Sequence, residues 1–214
     1  KGDVILLENL RFYPEEEAGE MNFAKALSAL GDIYINDAFG TAHRNHASTG
    51  ILPSFFKGKK AMGLLLSKEV GAIEKVLKTG QRPILSIIGG AKVSSKIEIL
   101  KSLISVVDDL IIGGGMAYTF IKANGGEIGN SLCEEAFLDE AQKILLLAKN
   151  KNVKVHLPLD IIASEKFSNT SITHTVNIYK IPKTMEGLDI GPLSIKKFDE
   201  IILNSKTILW NGPL

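Results

Sequence analysis

Short β-branched runs alternate along this chain with longer stretches whose apolar residues recur every three or four positions, and that alternation limits the fold more than any other feature. Strand-length runs separated by whole helices cannot close as hairpins; they pair in parallel and need helices on both faces. Strands are predicted over 4–7, 33–36, 84–88, 110–112, 153–157 and 207–210. Helices are predicted around Phe23-Ala26-Leu27-Leu30, Ile97-Leu100-Ile104 and Phe137-Ala141-Ile144-Leu145-Ala148. A parallel α/β protein is the fold class that follows.

One helix stands outside this rhythm, over 67–78, after a loop over 53–63 and before Thr79-Gly80-Gln81-Arg82-Pro83. Ser67 with Glu69 and Glu74 fits a capped, acidic start, and Gly80 fits a stop. It reads as an interdomain helix or, equally, as a crossover helix preceded by a long loop. At 214 residues and 23.2 kDa, one large domain or two small ones are possible.

Composition excludes several classes. Lys plus Arg number 25 and Asp plus Glu 24, so with a net charge of +1 there is no nucleic-acid or membrane-surface footprint, and any basic site is local. Cys133 is the single cysteine, which rules out an intrachain disulfide and fits a reducing cytosol; it reads as a small buried hydrophobe, and Met62, Met116 and the aromatics as core. The longest apolar run, 110–121, is too short to span a bilayer and is interrupted by glycines and Thr119. The start, Lys1-Gly2-Asp3, has neither a methionine nor a signal pattern and runs directly into Val4-Ile5-Leu6-Leu7, which reads as a cut edge. A soluble, cytoplasmic protein is expected.

In open α/β sheets ligands collect beyond the carboxyl ends of strands, and the unusual residues of this chain sit there. Two strand-end loops carry Arg11, His43, Arg44 and His46, residue types that grip anions through charge-assisted hydrogen bonds; solvated surface bases are the plain alternative. A third loop reads Gly89-Gly90-Ala91-Lys92-Val93-Ser94-Ser95-Lys96. Glycines let backbone approach a phosphate, while lysines in a first helical turn oppose the macrodipole and repel at i,i+4 unless an anion is present. An exposed helix start explains the same residues. The segment is neither the dinucleotide fingerprint nor the P-loop. Gly113-Gly114-Gly115 leaves room for a flat ring or for close helix packing. Asp160 and Asp189-Ile190-Gly191-Pro192 read as loop turns.

Taken together, Leu7-Glu8-Asn9-Leu10-Arg11-Phe12, Asn36-Asp37-Ala38-Phe39-Gly40-Thr41-Ala42-His43-Arg44, Gly89-Gly90-Ala91-Lys92-Val93, Ile111-Ile112-Gly113-Gly114-Gly115-Met116-Ala117, Leu188-Asp189-Ile190-Gly191-Pro192 and Trp210-Asn211-Gly212-Pro213 resemble the phosphoglycerate kinase family, in order and over the whole length. The resemblance implies two Rossmann-like αβα domains joined by a helix, divided as 1–63, 64–80 and 81–214, both of them truncated. It implies 3-phosphoglycerate on the first, held by Arg11 and Arg44 with His43 and His46 in the same basic patch. It implies ATP or ADP with Mg²⁺ on the second, with Lys92 and Lys96 as catalytic lysines, Lys96 also at the nucleotide phosphates, and Gly90, Ala91, Gly113, Gly114, Gly115, Gly191, Asn211 and Pro213 on the nucleotide side. No metal ligand is expected in these residues.

The chain departs from the pattern in three places. The family's upstream Asp/Asn pair and further arginines are missing, as are its downstream Gly-Val-Phe-Glu segment and Gly-Gly-Asp-Thr/Ser loop, and Ser95 stands where many members carry Asp. Two expectations follow: a central portion of a monomeric glycolytic kinase, impaired on its own, or a non-catalytic α/β fragment that holds a nucleotide or phosphate weakly.

Overall fold

The computed structural model describes residues 2–214; Lys1 lies outside the described residues. By internal contacts the chain divides into two units, Lys1–Lys75 and Val76–Leu214.

In the first unit, Pro14 at the first position and left-handed Gly19 just past the end bound helix α1 (Pro14–Ala18). Glu20 caps α2 (Met21–Ser28), its carboxylate accepting the Phe23 N–H at 2.7 Å. Strand β1 (Tyr34–Asn36) leads into α3 (Phe39–Ala42), and β2 (Lys60–Met62) lies parallel to β1 with Tyr34 opposite Lys60. Helix α4 (Leu64–Thr79) follows, longer at its start than the predicted 67–78, and Gly80 stands just past its end. Its first turn is capped through tertiary structure, because the Asp37 carboxylate accepts the Leu66 N–H at 2.9 Å.

Three expectations are corrected in this unit. Residues 4–7 form no strand, and Val4, Ile5 and Leu6 are 93%, 83% and 95% exposed. An apolar run becomes a parallel strand only where a neighbouring backbone offers its hydrogen bonds, and here β1 and β2 pair with each other alone. The span 53–63 is not all loop, since it contains β2 and part of the 3₁₀ turn Leu52–Phe55. Met62 is exposed, not core.

The second unit is built around β3 (Ile84–Ile88), all five residues of which are buried. It is joined by α5 (Ile97–Leu103), β4 (Asp109–Ile112), α6 (Met116–Ala123), β5 (Glu127–Ile128), α7 (Leu138–Asn150), β6 (Lys154–His156), β7 (Asp160–Ser164), β8 (His174–Asn177), β9 (Lys180–Ile181), β10 (Glu186–Ile190), α8 (Pro192–Asn204) and β11 (Thr207–Asn211). The main sheet is parallel, in the order β11-β3-β4-β6. Alternation along β3 and β4 sends Ile84, Ile88, Leu110 and Ile112 into one core with Leu100, Met116, Phe120 and Ile144 from α5, α6 and α7. Leu85, Ile87 and Ile111 face the other way, against Phe198 of α8. Helices therefore cover both faces, as a parallel sheet requires.

Beside this sheet, β10-β7-β8 form an antiparallel sheet over a core of Tyr118, Ile121, Ile128, Ile161 and Ile181, where partly buried Cys133 packs. Asp160 and Asp189 are corrected here from loop turns to strand residues of β7 and β10. Trp210 and Phe167 are exposed, contrary to the core assignment. No helix among the described residues is long and apolar enough to cross a membrane.

Candidate phosphate and nucleotide site

The carboxyl ends of β11, β3 and β4 release three adjacent loops in the second unit, and backbone hydrogen bonds knit them together. Gly89 N–H donates to Asn211 O at 3.0 Å, Gly113 N–H to Ile88 O at 3.0 Å, Gly114 N–H to Leu214 O at 2.8 Å and Met116 N–H to Gly90 O at 2.9 Å. Glycine is required for this closeness: a Cβ on Gly89 would collide with the Pro213 carbonyl oxygen. Gly114 has φ +67°, and a Cβ there would lie 2.8 Å from the Gly90 nitrogen. Thus Gly89, Gly90, Gly113, Gly114, Asn211 and Pro213 meet at one sheet edge. The Leu214 side chain lies beside Gly113, and Leu132 beside Gly115.

Lys96 is the N-cap residue of α5, and its ammonium donates to the Asn211 side-chain oxygen. Lys92 lies in the loop ahead of the helix, before the turn over 94–96, so only Lys96 stands at the helix start. Lys96 has Asn211 as its hydrogen-bond partner, and the charge of Lys92 acts on the Glu134 carboxylate. Ser95 closes the turn, its hydroxyl donating to the Lys92 carbonyl at 3.0 Å.

Sequence reasoning missed Glu134. Its carboxylate accepts the Ser94 N–H at 2.9 Å and the Ser94 hydroxyl at 2.7 Å. Partial burial works to raise its pKa, but the Ser94 bonds, a Val93 N–H bond and the Lys92 charge outweigh it and hold the group below the usual carboxylate range. It also missed Asp160, which is 4% exposed and caps α8, accepting Leu193 N–H at 3.0 Å, Ser194 N–H at 2.8 Å and Ser194 Oγ–H at 2.7 Å. Burial alone would raise its pKa; those donors lower it instead. Gly191 is the N-cap residue of that helix, its N–H donating to Asp160 O at 2.9 Å. For Asp160 the available signal was an acid set between the apolar residues Leu159 and Ile161.

The predicted anion-gripping residues all lie in the first unit. Arg11 sits in the 3₁₀ turn Leu10–Phe12, and its Nε is 3.8 Å from a Glu17 oxygen. His46 Nδ1 is 3.9 Å from Glu16, a buried acid of α1 that also accepts the Ser48 N–H at 3.0 Å and hydroxyl at 2.5 Å. Both bases are therefore drawn to α1, whereas His43 and Arg44 are exposed beyond the C-terminal end of α3. Clefts of about 450 Å³ and 330 Å³ elsewhere contain none of the predicted residues.

A layered parallel sheet with glycine loops and a lysine gathered at its carboxyl edge defines a Rossmann-like α/β protein. A family model described as phosphoglycerate kinase matches residues 1–214. The chain belongs to the phosphoglycerate kinase family. It is 48% identical to the phosphoglycerate kinase of Aquifex aeolicus over 214 residues, all of this chain and 54% of that protein. It is 49% identical to that of Pelodictyon phaeoclathratiforme over 213 residues, 53% of that protein. The solved phosphoglycerate kinase from Coxiella burnetii superposes with a TM-score of 0.76 at 40% identity, over 96% of this chain and 52% of that one. That from Pyrococcus horikoshii superposes with a TM-score of 0.78 at 26% identity, over 99% of this chain and 55% of that one. The chain spans about half the length of the curated relatives it matches.

Proposed function

We propose that these residues serve the reversible transfer of a phosphoryl group between ATP and the carboxylate of 3-phosphoglycerate, giving ADP and 1,3-bisphosphoglycerate, in the glycolysis of a cytoplasmic, monomeric enzyme. The observation that carries the reading is the convergence of Gly89–Gly90, Gly113–Gly115 and Asn211–Pro213 with Lys96 at one sheet edge. Membership of the phosphoglycerate kinase family supports this substrate pair. Lys96 faces the nucleotide phosphates, Lys92 follows the transferring group, and Gly90, Ala91, Gly113–Gly115, Gly191, Asn211 and Pro213 form the nucleotide side. Arg11 and Arg44 hold the phosphoglycerate phosphate with His43 and His46 beside them, and 64–80 is the helix joining two domains, 1–63 and 81–214.

The chemistry asks for what these residue types provide. A carboxylate with a pKa of about 4 is ionised at neutral pH, so its attack on the γ-phosphoryl group needs no general base. It needs relief of anionic repulsion and in-line alignment, which cationic side chains and backbone N–H groups supply. Magnesium would come with ATP or ADP and offset the phosphate charge, its protein ligand being expected in the family's downstream Gly-Gly-Asp-Thr/Ser segment.

A second reading is a unit that binds nucleotide or phosphate without turnover. A coupled assay of the 214-residue chain beside the same chain extended at both ends to the relatives' length separates the two. Losing one well-placed donor to a developing anion costs about 3–4 kcal/mol, so loss of several leaves the short chain below a thousandth of the extended chain's turnover. Equal specific activity in the two would overturn this mechanism.

A further inference from the structure

We propose that Glu134 is a positioning residue for the nucleotide phosphates, fixing the Gly89-to-Lys96 loop against the segment that follows β4. The inference rests on the nucleotide-side reading above. Lys92, Ser94 and Ser95 are exposed, and Val93, fully buried, is the loop's one deep side-chain anchor. Packing on a single side chain leaves the backbone on either side of Val93 to be fixed by hydrogen bonds.

Glu134 supplies them with both oxygens, to the N–H and the hydroxyl of Ser94, and it is itself held. Its own N–H donates to Thr119 Oγ1 at 3.1 Å, and Thr119, 1% exposed, belongs to α6. The first residue of that helix, Met116, donates its N–H to Gly90 O at 2.9 Å. A closed circuit results, from Gly90 through Met116, Thr119, Glu134 and Ser94 back along the loop to Gly90. It locks the Gly113–Gly115 segment and the lysine-bearing loop into one rigid edge. A carboxylate suits the position because it only accepts and carries charge: an amide could keep both Ser94 bonds only by reversing the one to the hydroxyl, and would lose the negative charge that interacts with Lys92.

The test uses the chain extended to its relatives' length, with ATP affinity read by calorimetry and KM measured for both substrates. Glu134→Gln is expected to raise the ATP Kd and KM about five- to tenfold while leaving the KM for 3-phosphoglycerate within about twofold, and to speed amide exchange at Ser94. Ser94→Ala, a change at an exposed site that spares the core, is expected to shift ATP affinity the same way by a smaller factor, and decides the matter should Glu134→Gln not fold. Lys96→Ala serves as the reference. Weaker ATP binding in Lys96→Ala with none in Glu134→Gln or Ser94→Ala overturns the role of Glu134 and leaves the nucleotide-side reading intact. Unchanged ATP binding in Lys96→Ala overturns that reading itself, and with it this inference. An equal rise in both KM values assigns Glu134 to general stability and overturns the inference alone.

Discussion

The Lys96 ammonium is hydrogen-bonded to the side-chain oxygen of Asn211, a residue 115 positions further along the chain. The parallel sheet brings them together: Asn211 ends β11 directly opposite Ile88, the last residue of β3, and the loop that carries Lys96 leaves from there. An amide oxygen holds the ammonium without neutralising it, so its charge stays available for a phosphate. In the chain extended to its relatives' length, Lys96→Ala is expected to weaken ATP binding about tenfold or more by calorimetry. Lys92→Ala is expected to lower kcat more than it raises KM. Steady-state kinetics showing neither change would remove both lysines from the site.

Asp160 gives a stability prediction with a defined pH sense. Its pKa is lowered in the folded chain, so its contribution is fully present above its unfolded value of about 4 and is lost as the pH falls through the folded value. Asp160→Asn leaves one acceptor oxygen for three donors at the start of α8 and is expected to cost about 1–2 kcal/mol at pH 7. Denaturant titrations at pH 7 and pH 3 check this: the gap between the two proteins should narrow at the lower pH, and a constant gap would refute the capping account.

Two glycines should respond in opposite directions to the same substitution. Gly89→Ala forces the Pro213 backbone away and is expected to destabilise the second unit by about 1–3 kcal/mol. Gly71, inside α4, has open space where a Cβ would sit, so Gly71→Ala is expected to stabilise by about 0.5–1 kcal/mol. Thermal midpoints decide, and a loss in both variants would contradict the second expectation.

Hydrogen exchange should separate the two units. The first buries few apolar side chains, Ala24, Ala47, Phe56 and Leu66, and leaves Leu30, Ile33, Ile35 and Leu64 exposed. Amides of β1 and β2 are expected to exchange much faster than those of β3 and β4, whose flanking cores are closed. Equal protection in the two sheets would show that exposure of the apolar residues costs the first unit nothing.

Where neighbours in sequence supply the interaction, the amino-acid order sufficed. Strand β3 was legible to the residue, since 84–88 is apolar enough to be buried on both faces, and β4, β6 and β11 were placed within a residue or two at each end. Helices α5 and α7 announced themselves by periodicity. The glycine loops were legible too, because only glycine serves where backbones nearly touch.

What depended on distant partners was not legible. Residues 4–7 carry as strong a strand signal as 84–88, yet they lack a paired edge, and pairing is a property of the sheet. The short strands β7, β8 and β10 were missed because antiparallel pairing, and not local periodicity, makes them strands. Asp37, Glu134 and Asp160 look like ordinary loop acids until folding places backbone N–H groups from 29, 40 and 33 residues away against their oxygens. A sequence shows which residue can accept a hydrogen bond; only the tertiary structure decides which donor arrives, because that donor is set by the packing of whole helices and strands.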